Sequence, residues 1–310
     1  MNLFSFKRLN TTLLSIFICM EVLILGCSNT EKSDPVYLQE VEAWHARRIT
    51  SLKKPDGWLS LRGLFWLKEG KNSFGASEQN RIKFPPEMTP EEMGWFILQE
   101  NSVSVEIKDG IPVYFNDHEI SRMTLKDDSE GEPDILRYRS LSWHIIKRGD
   151  RYGVRLKDSE SKLLRNFTGI ERFPVDPAWR VTATFQAYDS PKVIEVPNIL
   201  GTISEDPSPG KLIFTIKGQS YSLDPIADPE DKRWFIIFSD ATSGEETYGA
   251  GRFLYIDAPA ENNSAIIDFN KSYNPPCAFT PYATCPLPPE QNHLNLRVEA
   301  GEKNFQGYKH

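Results

Sequence analysis

Between residues 239 and 274 the chain collects side chains suited to holding a small polar molecule. Ser239-Asp240-Ala241-Thr242-Ser243-Gly244 opens the stretch, Tyr248 and Arg252 follow, and Asp268, Asn270 and Asn274 close it. An arginine fork grips a carboxylate through parallel hydrogen bonds, asparagine amides both donate and accept, and a carboxylate beside them can take a proton. Asp240, Tyr248, Arg252, Asp268, Asn270 and Asn274 are therefore the candidate ligand-binding residues, for a saccharide or an organic acid. Alternatively, Asp240 and Asp268 serve a hydrolase beside Arg252, because glycoside hydrolysis needs two carboxylates at a set separation. A third possibility is purely structural: Asp240, Thr242 and Ser243 form turns, and Arg252 pairs with Asp268. Ser243 lies in no nucleophile-elbow pattern and has no neighbouring histidine, so no residue is assigned as catalytic.

Strands must position such a set. Residues 234–238 and 253–256 have the apolar character of buried strands, and a hairpin joining them brings Asp240 and Arg252 onto neighbouring strands. Val103, Val105 and Ile107 alternate with polar residues up to Asp109-Gly110, a favoured two-residue turn after which 111–115 returns. Residues 143–147 and 152–156 flank Arg148-Gly149-Asp150 in the same way. Further period-2 runs at 181–186 and 212–216 make the chain mainly β, an antiparallel sandwich or a partly open barrel. One helix precedes it. Asp34 is a natural cap, Pro35 suits the first turn, and Leu38, Val41, His45, Ile49 and Leu52 form a stripe over 36–53, with His45 expected as a packed core residue.

Ahead of the helix, Lys7 and Arg8 precede an apolar run, and Ile24-Leu25-Gly26-Cys27 ends it as a bacterial lipoprotein signal does. The run is short and interrupted by Glu21, which argues against a permanent span. The expected organisation is a signal peptide at 1–26, a tether at 27–35, a helix with a small β domain at 36–130, and a larger β domain at 131–310 divided off at the acidic turn 127–133. Cleavage removes a net +1 from the chain's −7 and leaves −8, which gives no general attraction to nucleic acid. The expected membrane partner is reached through a lipid on Cys27, outside the cytoplasm. Cys19 leaves with the signal and Cys27 takes the lipid, so Cys277 and Cys285 remain as the candidate disulfide across a proline-framed loop, the alternatives being a catalytic or redox thiol and, less so, metal ligation. His45, His118, His144, His293 and His310 lack metal-ligand spacing, no glycine loop cradles a phosphate, and no cofactor is implied.

Several segments resemble bacterial domain-of-unknown-function family 1684. They are Asp56-Gly57-Trp58-Leu59, Gly63-Leu64-Phe65-Trp66-Leu67, Lys147-Arg148-Gly149, Asp240 with Thr242 and Gly244, and Thr247-Tyr248 with Gly251-Arg252. The stretch from Asp268-Phe269-Asn270 to Pro289, then Asn292 and Ala300-Gly301-Glu302-Lys303, completes the likeness. The resemblance implies no established activity. It implies a site around Asp240, Tyr248, Arg252, Asp268, Asn270, Asn274 and the two cysteines, with His293 where the pattern has a basic residue. Separately, Gly70–Gly75 and 80–85 resemble the opening strands of a forkhead-associated sandwich. Ala76 stands where those phosphothreonine readers place an arginine, so the likeness implies a sandwich and no phosphopeptide binding.

Overall fold

The computed structural model describes Met1 and residues 34–307. Cys27 and the rest of the leader lie outside the described residues. The Asp34 carboxylate accepts the Val36 N–H at 2.9 Å and Pro35 takes the first turn, so the helix runs Pro35–Leu52. Its inward face is Tyr37, Val41 and Leu52. His45 is only half-buried, because the stripe is tilted toward Tyr37 and away from the expected line.

The rest is mainly antiparallel sheet, with a second short helix at Lys162–Asn166 and, among the described residues, no sheet closed into a barrel. A six-stranded sheet and a five-stranded sheet share the first core. In the six-stranded sheet, Leu61–Trp66, Arg151–Asp158, Leu141–Arg148 and Leu136–Tyr138 lie side by side. Trp143, Ile145, Val154 and Leu156 from this sheet meet Phe74, Phe96 and Val105 from the other, with the Phe84 ring edge-on to Trp143 at 5.3 Å. The hairpin around Gly149-Asp150 forms as expected, pairing Leu141–Arg148 with Arg151–Asp158.

The Asp109-Gly110 turn does not make a hairpin. Gly110 takes φ +80°, yet Ser102–Ile107 pairs with Gly94–Gln99 and Arg122–Leu125, while Val113–Phe115 crosses to the six-stranded sheet. Local turn chemistry is satisfied, and the partner is chosen instead by burial of Val113 in the shared core.

The second core lies between a four-stranded sheet built on Arg180–Pro197 and Ile203–Ile216 and a three-stranded sheet built on Arg233–Asp240 and Arg252–Asp257. Trp234, Ile236 and Phe238 enter this core, whereas Ile237 and Phe253 enter a third one with Leu52, Leu59, Phe279 and the two cysteines. Strand Arg233–Asp240 is thus buried on both faces, which is why Trp-Phe-Ile-Ile-Phe is continuously apolar.

Candidate functional site

The expected hairpin sets Phe238 opposite Arg252, and Arg252 Nη2 donates to Asp240 Oδ1 at 2.9 Å. Both side chains are fully buried. Arg252 also donates to the carbonyls of Val298 at 2.9 Å and of Ala300, while Asp240 Oδ2 accepts the Thr242 N–H, the Thr242 hydroxyl and the Val298 N–H at 2.8–3.1 Å. Asp268 is not the partner of Arg252. Its Oδ1 accepts the Tyr37 hydroxyl at 2.8 Å, and Asn270 donates to that hydroxyl and to the Asp176 carbonyl, both at 2.9 Å. Asn274 donates its N–H to Glu302 Oε2 at 2.7 Å and its amide to the Lys303 carbonyl at 2.7 Å. Tyr248 packs in the third core.

Asp240, Arg252, Asp268, Asn270 and Asn274 therefore hold three chain segments in place: the start of the helix, the Asp176 turn and residues 298–303. Gly301 shows how close that last segment lies. Its φ is +77°, and a Cβ there would meet the Ser272 carbonyl oxygen at 2.5 Å. Glu302 is buried, and desolvation raises its carboxyl pKa against the opposing pull of Arg48, whose Nε is 3.3 Å away.

A different set lines a cavity of about 470 Å³ on the outer face of the six-stranded sheet, and none of the six belongs to it. Val154 and Leu156 point into the core, so Arg155 and Lys157 share the opposite face of the same strand, and His144 sits directly across from Arg155 on the next. Arg155 is 4% exposed and His144 8%. Trp58 closes one side, with the Arg155 guanidinium 5.7 Å from its ring centre. Lys157 Nζ donates to the Asp56 carbonyl at 2.7 Å.

One carboxylate in the lining, that of Asp128, is already engaged. Asp128 is gripped by both Arg148 terminal nitrogens at 2.9 Å and accepts the Lys147 N–H, and these bonds hold its pKa low although burial alone would raise it. Among the described residues neither Arg155 nor Lys157 forms an ion pair, and Arg155 Nε has no hydrogen-bond partner. Burial, followed by the Arg148 charge, pushes Arg155 down to about 10; burial also lowers Lys157. His144 falls to about 4 through burial and the neighbouring Lys157 and Arg155 charges, so it is neutral at pH 7.

Cys277 and Cys285 form the disulfide, with Cα atoms 6.1 Å apart. By the chain-entropy estimate, closing so short a loop contributes roughly 2–3 kcal/mol. Its position ties it to the cavity: Thr284 Oγ1 accepts from Arg155 Nη2 at 3.2 Å and from Arg148 Nε at 3.3 Å. Phe279 and Tyr282 on the same loop line a second cavity of about 550 Å³.

The available sequence signal for Arg155 and Lys157 was their spacing, two cations at i and i+2 on a strand whose alternate residues are apolar. No helix among the described residues is long and apolar enough to cross a membrane, and no group of three His, Cys, Asp or Glu among them is arranged to hold a metal.

No curated protein matches the chain. The solution NMR structure of an uncharacterized protein from Haloarcula marismortui is 30% identical, over 46% of this chain and 80% of that one, at a TM-score of 0.38. A structure described by its phosphothreonine-dependent FHA domain interactions is 12% identical, over 30% of this chain and 92% of that one, at a TM-score of 0.22. That score carries no argument about phosphopeptides. Residues 165–303, which include the buried Asp240–Arg252 pair and the disulfide loop, match the family described as Protein of unknown function (DUF1684).

Proposed function

We propose that the protein is a lipid-anchored component of the bacterial cell envelope whose β body captures a small anionic ligand over Arg155, Lys157 and His144. One observation carries the binding proposal: Arg155 is almost wholly buried against a cavity, and among the described residues no carboxylate forms an ion pair with it, Asp128 reaching it through charge alone while held by Arg148. A buried unpaired charge is costly, and a fold retains one where something from outside completes the pair. The cavity volume lies in the range of small-molecule sites. The neutral imidazole beside the guanidinium offers a directional hydrogen bond without adding charge. Asp240, Arg252, Asp268, Asn270 and Asn274 are assigned to holding the frame, since each is bound to the chain itself and none lines the cavity, although among the described residues Arg252 Nε, Asp268 Oδ2 and Asn274 Oδ1 lack a hydrogen-bond partner.

Arg155→Met tests the binding proposal. Without ligand, the variant is expected to unfold at the same denaturant midpoint as the wild type or slightly higher, because a desolvated charge has been exchanged for an apolar chain of similar length. With benzoate, succinate, gluconate, sulfate or phosphate, a ligand at a hundred times its dissociation constant should add about 2.7 kcal/mol to the wild type and nothing to the variant. An anion that stabilises both equally would overturn the proposal.

The anchor rests on the positive start, apolar run and Gly26-Cys27 of the leader. Cys27→Ala is expected to abolish acylation and move the protein from the membrane fraction to the soluble envelope fraction. A variant that stays with the membrane would count against the anchor.

A further inference from the structure

We infer that the ligand of this cavity is a zwitterion of the α-amino acid class with an apolar side chain. The inference rests on the anion-binding reading and narrows it. A cavity for a simple anion would be cationic throughout, and this one is not. Its floor carries Arg155 and Lys157, while Asp56 and Glu132 supply exposed carboxylates at its rim. Neither rim carboxylate forms an ion pair among the described residues; Lys157 Nζ bonds the Asp56 carbonyl and feels the Asp56 carboxylate through its charge. A bare anion approaching the floor must therefore pass a rim of its own sign, whereas a ligand bearing an ammonium beside its carboxylate meets opposite charge at both ends.

The remaining lining fits the third part of such a molecule. Trp58 and Ile135, 37% and 36% exposed, are among the few large apolar side chains left open to solvent, and both face this cavity with Pro133 beside them. An indole face and an aliphatic side chain next to paired charges form a platform for an aromatic or branched side chain. Within one cavity the carboxylate goes to Arg155 and Lys157, the ammonium to Asp56 and Glu132, and the side chain to Trp58 and Ile135.

The test uses the mature chain and matched probes: phenylalanine, 3-phenylpropionate, which lacks the amine, and 2-phenylethylamine, which lacks the carboxylate. Titration calorimetry is expected to give phenylalanine an affinity about tenfold above either fragment. Glu132→Gln and Asp56→Asn should each weaken phenylalanine several-fold and leave 3-phenylpropionate unchanged or tighter, while Arg155→Met should weaken both acids and spare the amine. If 3-phenylpropionate binds as tightly as phenylalanine in an Arg155-dependent way, the zwitterion is wrong and the anion site stands. If neither acid binds in an Arg155-dependent way, with leucine and 4-methylpentanoate giving the same result, both fail.

Discussion

Asp240→Ala is expected to lower the unfolding free energy by about 3–5 kcal/mol, read from the midpoint of urea unfolding at constant slope. The loss is large because three donors lose their acceptor at once and Arg252, 0% exposed, is left charged with no counter-ion. Burial already lowers the Arg252 pKa while Asp240 raises it, so removing the carboxylate leaves the unfavourable influence opposed by the Glu302 charge alone. The double variant Asp240→Leu/Arg252→Met is expected to be more stable than either single change, since it removes the charge together with its partner. The same cycle decides what the pair is for. If Arg252 held an external ligand, Asp240→Ala would cost affinity and little apo stability, and a loss under about 1 kcal/mol would remove the structural assignment.

The placement of Asp240 and Arg252 on neighbouring strands was legible in the sequence, because it depends on one hairpin whose two strands are separated by a polar turn. The hairpin at Gly149-Asp150 was legible for the same reason. What local pattern could not supply was the destination of strands that leave their neighbours. Asp109-Gly110 has the residues of a hairpin turn and serves as the point where the chain changes sheets. The cavity was hidden by the same limitation. In Val154-Arg155-Leu156-Lys157, alternation assigns the cations to a solvated face. That face is covered because Trp58, about a hundred residues earlier, and Thr284, well over a hundred later, pack over it. Nothing in the strand's own period reports that cover.

The disulfide also acts beyond its own loop. A loop staple needs only two cysteines, but this one fixes Thr284, whose hydroxyl oxygen keeps the Arg148 and Arg155 guanidiniums together despite their like charge. Arg148 is paired with Asp128, whereas Arg155 feels that carboxylate through its charge alone. The loop thus holds the unpaired cation where the cavity opens, linking the third core to the outer face of the first sandwich.

The stability of the protein is expected to fall by about 3 kcal/mol between pH 6.5 and pH 4 on account of His144 alone. Its folded pKa is about 4 against an ordinary 6.5, so across that window the unfolded chain binds a proton that the folded chain refuses. Stability therefore rises with pH through the window: the contribution is complete above 6.5 and lost progressively below it, each pKa unit corresponding to about 1.4 kcal/mol. Asp128 lies on the same side of the balance, its pKa being held low, while Glu302, pushed upward by burial, opposes both. The measurement is accordingly the difference between wild type and His144→Gln in urea midpoints from pH 4 to 7. The variant should remove a slope of that size, and parallel curves would show that His144 titrates normally. Ligand binding supplies an independent check. An anion seated on Arg155 partly cancels the positive field that helps keep the imidazole neutral, so binding should raise the His144 pKa and draw in protons below pH 6.5. Affinity for the anion should then strengthen on acidification in the wild type and stay flat in His144→Gln, as long as the ligand's own carboxylate remains ionised.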